Sequence, residues 1–445
     1  MQDMTKGSIF AHLIRFSIPM ILGNFLQLTY NAVDSIIISK CMGQTALAAV
    51  STADPIITIL VLGASGVSLG ASVMVSRFRG AGETEKIQQE FASTLIFGFF
   101  FSLGVFVLGL ALSRRMLLWI QTPKEALAMA VVYLRIYLVG FLFTFQYNVL
   151  ASCLRGLGDS KTPVYFLALS CGVNVLLDLL FVAVLRLGVA GAAWATVIAQ
   201  GFSALGLLLR IRRAVPELRL TRRELRVEKA LLSQTLQLGF LTALQQAAQP
   251  IGKVCIQGVI NTQGIVAMDA FNAGCKIEDF ARIPTQSIGN GIMTCTAQNR
   301  GAGQRERVER TLGAGLLLAA AYYPLAFLLT QLLKGPAVAL LSPAGAQEIV
   351  AAGVSYIGLK AFFFLMPGIT NAIQGHFRGL GRMKIVLLST VLQTGIRTLC
   401  VFFWVPKMGI RGEAWACFAG WLCMAVAEYG LYFFWRARGR LETQG

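Results

Sequence analysis

The sequence predicts an all-α integral membrane fold, with twelve transmembrane helices set as two parallel six-helix repeats around a central cavity. Three observations carry this expectation. Apolar runs of about 20 residues, the length that crosses a hydrocarbon core of about 30 Å as a helix, recur between short polar segments. Basic residues gather on alternate connections between those runs. Short strings recur 221 to 223 residues apart. Composition agrees, since 56% of the 445 residues are hydrophobic and only 13% are charged, too few charges to wet the surface of a soluble domain. The runs are continuous rather than alternating, which argues against a membrane barrel.

The first run, 16–39, follows a short polar start and reaches Lys40 without a small-residue cleavage pattern, so it is read as span 1 and not as a signal peptide. Runs at 50–76, 91–113, 127–150, 162–185 and 188–209 complete a first half. Those at 230–258, 264–297, 311–333, 347–373, 385–405 and 412–435 make a second. The intervening basic segment, 214–229, reads as a cytoplasmic linker between a first lobe at 1–213 and a second at 230–445. Assigning the connections to alternate sides puts twenty-five Lys and Arg with the termini and this linker, including Arg222, Arg223 and Arg440, and eight on the other side. Positive residues mark the cytoplasmic face, so both termini are expected there. In this setting the net charge of +18 addresses the lipid bilayer and not nucleic acid. Pro19, Pro55, Pro250, Pro284 and Pro367 fall in or near spans, where proline kinks helices.

Arg79-Gly80-Ala81-Gly82 recurs as Arg300-Gly301-Ala302-Gly303, Arg155-Gly156-Leu157-Gly158 as Arg378-Gly379-Leu380-Gly381, and Ala193-Trp194-Ala195 as Ala414-Trp415-Ala416. Each pair holds the same place in its half. An even number of spans per half makes the repeats parallel, related by an axis along the membrane normal.

A charge within a span costs on the order of 3 kcal/mol, so each intramembrane acid marks a candidate site. Asp34 lies six residues before Lys40, roughly 9 Å inside the outer end of span 1. Asp178 lies eight residues before Arg186, roughly 12 Å inside the same face of span 5, with Asn174 one turn deeper. Thr196 enters span 6 to about the same depth of roughly 12 Å. Two carboxylates with amide and hydroxyl oxygens suit either a monovalent cation or a shared proton. The plainer alternative pairs Asp34 or Asp178 with Arg135 or Arg186. The second half does not repeat this set. Span 8 carries Lys276, Glu278, Asp279 and Arg282, where Glu278 and Arg282 have i, i+4 spacing and read first as a self-neutralising cluster. Glu278, Asp279 and Arg282, with the intramembrane Lys253, Lys360 and Arg397, are candidates for substrate binding or a second relay. No nucleotide-binding loop, enzyme-like nucleophile set or histidine metal site is present in the sequence.

Val33-Asp34 followed by Gly43-x-x-Ala46-Leu47-Ala48-Ala49, the Arg155-Gly156-Leu157-Gly158-Asp159 turn, Asn174 to Asp178, and Gly188-x-x-Gly191-Ala192-Ala193-x-Ala195-Thr196 together resemble the multidrug and toxic compound extrusion (MATE) family, over essentially the whole chain. The resemblance is to its prokaryotic DinF-like branch. It implies a secondary antiporter, not an enzyme, of the bacterial plasma membrane, with a small-molecule substrate, no obligate protein partner and no cofactor. Na+ or H+ would enter as an amphipathic, usually cationic, compound leaves. Asp34, Asn174, Asp178 and Thr196 match the residue types that the branch associates with its cation. Span 7 departs from another branch by carrying Gln245, Gln246 and Gln249 in place of an acid, so a second-half cation site of that kind is not expected. The alternative is a lipid or lipid-linked saccharide flippase of the same superfamily, for which Lys360 and Arg397 speak.

Overall fold

A computed structural model describes residues 1–220, 224–343 and 345–438; Arg222, Arg223 and Arg440 lie outside the described residues. The regular elements are helices: α1 (Ile9–Met42), α2 (Gln44–Ala81), α3 (Thr84–Trp119), α4 (Lys124–Gly156), α5 (Lys161–Asp178), α6 (Gly188–Ala214), α7 (Lys229–Asn261), α8 (Ile265–Gly301), α9 (Arg305–Leu341), α10 (Gln347–Ala361), α11 (Leu365–Gly379), α12 (Met383–Met408) and α13 (Ile410–Ala437). Among the described residues nine helical stretches are long and apolar enough to cross a membrane, α5 being counted with the turn that continues it to Val184, and α10 with α11 makes a tenth crossing bent by 50°. The other two, α7 and α8, have 33 and 37 residues. Their glutamines and charges dilute their apolar character, but they stand at the repeat positions of α1 and α2 and complete twelve spans.

The helices overrun the apolar runs by several residues at most ends, because polar flanks continue the helical hydrogen bonding outside the hydrocarbon. The expected single span at 347–373 is instead broken at Phe362–Phe364. Pro367 explains the break, since it donates no N–H and its ring collides with the carbonyl four residues back, at Phe363. Pro19, Pro55, Pro250 and Pro284 sit inside continuous helices.

The repeat is visible in the turns. The amide of Gly82 closes α2 on the carbonyl of Arg79 with φ at 73°, and Gly303 closes α8 on Arg300 with φ at 68°. A side chain strains this left-handed conformation, which accounts for the recurrence of the string. Helix packing repeats too. A Cβ on Gly156 of α4 would lie 2.8 Å from the Ser72 carbonyl of α2, and one on Gly379 of α11 would lie 2.6 Å from the Met293 carbonyl of α8. Both contacts bring backbones together where only hydrogen fits.

The chain forms two compact units. One contains Met1–Asp3 and Leu22–Ala243, and the other contains Met4–Ile21 and everything from Leu244 onward. The units therefore do not divide at the 214–229 segment: α1 and α7 each contribute residues to both. The first unit buries Phe78, Phe91, Phe141, Phe145 and Leu154 in one cluster and Ile38, Ala49 and Leu134 in another. In the second, the start of the chain is fastened to α8 and α9. The Met4 amide donates to Gln298 Oε1 at 3.1 Å, and Arg307 donates to the carbonyls of Met4 and Gly7 at 3.0 Å each.

Candidate functional site

In the first unit, α1 contributes Asp34, α5 contributes Asn174 and Asp178, and α6 contributes Thr196. Asp178 is the last residue of α5 before a π-helical turn, Leu179–Val184, whose wider hydrogen bonding is a frequent companion of functional positions. The Asn174 amide donates to Thr196 Oγ1 at 3.4 Å, and Thr196 donates to the Ala192 carbonyl at 3.1 Å. The Asp34 and Asp178 carboxyls face each other. Asp178 is wholly buried and Asn174 nearly so. Asp34 Oδ1, both Asp178 oxygens and Asn174 Oδ1 are buried with no hydrogen-bond donor among the described residues.

Arg135 does not neutralise the acids, for it donates to Ser113 Oγ at 3.0 Å and to the Leu110 carbonyl at 3.4 Å. Arg186 makes no ion pair with either aspartate among the described residues. Two carboxylates turned toward each other, Asp178 wholly buried and Asp34 half-buried, repel unless something positive lies between them. A proton shared across the pair meets that need, and so does a monovalent cation held by the oxygens of Asp34, Asp178, Asn174 and Thr196. The orphaned oxygens fit such a cation, and they do not make a transition-metal site: no group of three or more His, Cys, Asp or Glu converges among the described residues.

Sequence reading missed three kinds of neighbour. Tyr30 lies one turn before Asp34 and its hydroxyl meets Thr196. Tyr133 and Tyr137 of α4 lie within electrostatic reach of this group, as does Asp54 of α2. The i, i+4 spacing of Tyr30 with Asp34 was a usable signal. Asp54 was itself an intramembrane acid in the sequence.

The second unit gathers charges differently. Lys360 Nζ, wholly buried, lies 2.7 Å from Glu278 Oε2, 3.2 Å from Glu413 Oε2 and 2.7 Å from the Tyr356 hydroxyl. Arg397 clasps Glu413 Oε1 through Nε at 3.0 Å and also through Nη2, and Tyr356 donates to Glu413 Oε2. The expected Glu278–Arg282 pair is present but long, at 3.9 Å, so the close partner of Glu278 is Lys360 and the cluster on α8 does not neutralise itself. Lys276 and Asp279 join no ion pair or hydrogen bond among the described residues. Glu413, which organises this network, went unnoticed because it stands in the first turn of α13, beside Arg411 and near the span end. Lys360 and Arg397 are both bound to Glu413, so neither presents the free cation that a flippase would offer to a lipid phosphate. In the first unit Phe99, Phe100 and Phe101 are exposed, whereas Phe141 and Phe145 are core residues.

Twelve helical spans in two repeats, with carboxylates buried inside the lobes, define a polytopic membrane transporter. The family model MatE matches residues 19–180 and again residues 242–403, two stretches offset by the same 223 residues that separate Arg155 from Arg378. The chain belongs to the MatE family. A probable multidrug resistance protein of Bacillus subtilis, YpnP, is 28% identical over 421 residues, covering 94% of this chain and 91% of that one. The probable multidrug resistance protein NorM of Thermotoga maritima is 24% identical over 413 residues, covering 91% and 87%. Among solved structures, a crystal structure of MATE in complex with MaL6 superposes with a TM-score of 0.91 over 99% of both chains at 23% identity, a likeness of fold. The protein is thus a multi-pass transporter and not an enzyme, of a family that carries small molecules within the membrane and needs no cofactor.

Proposed function

We propose that the protein is a secondary active antiporter that exports small amphipathic, cationic organic compounds in exchange for inward Na+ or H+, by alternating access, in a bacterial plasma membrane with both termini cytoplasmic. The observation that carries this reading is the pair of facing carboxyls, half-buried Asp34 and wholly buried Asp178, of which Asp34 Oδ1 and both Asp178 oxygens lack a donor among the described residues. Such a site is incomplete until a cation or proton arrives, and its occupancy changes the forces between α1 and α5. Asn174 and Thr196 supply neutral oxygens, and Tyr30 orients Thr196. The substrate class rests on relatives named as multidrug resistance or multidrug export proteins. The orientation rests on the excess of Lys and Arg on one side. A monovalent cation falling through about 150 mV releases about 3.4 kcal/mol, enough to hold a gradient of over about a hundredfold for a neutral solute.

The test is efflux of a fluorescent organic cation from proteoliposomes under separately imposed sodium and pH gradients. Efflux driven by one gradient and lost in both Asp34→Asn and Asp178→Asn supports the reading and identifies the ion. Correctly inserted protein that answers neither gradient, or variants that transport normally, would overturn it.

A further inference from the structure

The second unit has an open cavity of about 220 Å³ beside the charged network. At about 10 to 15 Å³ per water position, it has room for a small organic molecule, and it is too small for a lipid. Lys253, Asp279, Arg282 and Arg397 line it together with Gln393 and Trp421.

Its charges do not balance. Lining side chains and those ion-paired to them comprise four basic groups, Lys253, Arg282, Lys360 and Arg397, and three acids, Glu278, Asp279 and Glu413. Lys360 and Arg397 are committed to Glu413 and Glu278. Lys253 makes no ion pair or hydrogen bond among the described residues. Arg282 is only loosely held, at 3.9 Å from Glu278 and 3.4 Å from Gln249, and its buried Nε has no acceptor. With Asp279 also at the wall, the surplus of one positive charge falls among Lys253, Arg282 and Asp279, which face the cavity.

We propose that this cavity binds the carboxylate of a small organic monoanion between Lys253 and Arg282, with Trp421 offering its ring to an apolar remainder. One negative charge cancels the surplus. A guanidinium with a spare N–H pairs with a carboxylate oxygen while the ammonium takes the other. Gln393, buried at the wall, adds a neutral polar group beside them. This inference goes beyond the antiport reading and does not rest on it, because the cavity lies in the other unit from Asp34 and Asp178.

Binding of benzoate to the purified full-length protein in detergent, followed by titration calorimetry with benzylammonium as the isosteric cation, tests it without any gradient. Benzoate is expected to bind and benzylammonium not. Lys253→Met and Arg282→Gln should each weaken benzoate at least tenfold, while Asp34→Asn leaves it unchanged. Lys253 has no partner to lose, so Lys253→Met is expected to melt like the parent, and Lys253→Glu should reverse the preference toward benzylammonium. Benzylammonium binding as well as benzoate, or benzoate binding that ignores both substitutions, would overturn the assignment. So would displacement of benzoate by short-chain phosphatidylglycerol at lower concentration than by benzoate itself, which would point to a lipid headgroup. A transport failure in proteoliposomes leaves these binding results standing, so the two readings fail separately.

Discussion

The two lobes place opposite electrostatics at equivalent positions. At the offset of 223 that relates Arg155 to Arg378, Asn174 stands where Arg397 does, Tyr133 where Tyr356 does and Tyr137 where Lys360 does. At the offset of 221 that relates Ala193 to Ala414, Ala192 stands where Glu413 does. The second lobe has filled two of these places with cations, Arg397 and Lys360, which satisfy its buried acids Glu278 and Glu413. The first has filled them with neutral groups, leaving Asp34 and Asp178 to an outside partner. A scaffold built twice can thus hold one set of acids that the chain's own cations satisfy and one set that it leaves unpaired. Only an incomplete site can take up and release a cation, so on the proposed reading the asymmetry is what makes one lobe respond and leaves the other fixed.

The contrast breaks most visibly at Lys360. Lys360→Met leaves Glu278 and Glu413 buried without their shared cation and should cost about 3 to 5 kcal/mol of stability, read from denaturant unfolding in detergent. A loss under about 1 kcal/mol would mean the second-lobe acids are not held as described. The shared scaffold is tested next. Gly156→Ala and Gly379→Ala push a methyl group against a neighbouring helix carbonyl, and each should cost about 1 to 3 kcal/mol. Unequal costs would show that the repeat is less strict in packing than in sequence. A smaller effect is expected of Tyr30→Phe, which removes the hydroxyl that meets Thr196. Losing a polar contact of about 1 kcal/mol beside Thr196 should weaken the response to the coupling ion roughly fivefold without altering expression. The smallest effect belongs to Asp34→Asn and Asp178→Asn measured for stability alone. Asp34 Oδ1 and both Asp178 oxygens have no donor among the described residues, and each substitution relieves repulsion between the pair, so the melting temperature should hold or rise even where transport is abolished.

Spans and repeat were legible because hydrocarbon thickness and helix rise turn sequence distance into height. Depth does not report azimuth. It could place Asp34, Asn174, Asp178 and Thr196 at one level, yet it could not show that Tyr133 and Asp54 reach the same spot from α4 and α2. In the second lobe, i, i+4 spacing pointed from Glu278 to Arg282, whereas the closer ion pair comes from α10, a helix more than eighty residues away in sequence. Glu413 was hidden by its place at a helix start, where an acid is expected for reasons of helix polarity alone. The break before Pro367 was concealed by an uninterrupted apolar run, since hydropathy is blind to backbone direction.

The division of α1 between the two units has a consequence for how the protein is made. The segment Met4–Ile21 leaves the ribosome well ahead of its partner Gln298, which follows Met4 by 294 residues. At about 5 to 20 residues per second, it waits roughly 15 to 60 s for the helices that receive it. The first unit, meanwhile, lacks Lys229–Ala243 until synthesis has passed the basic segment. A cut within 214–229 therefore yields two fragments, each missing part of a helix that its own core requires.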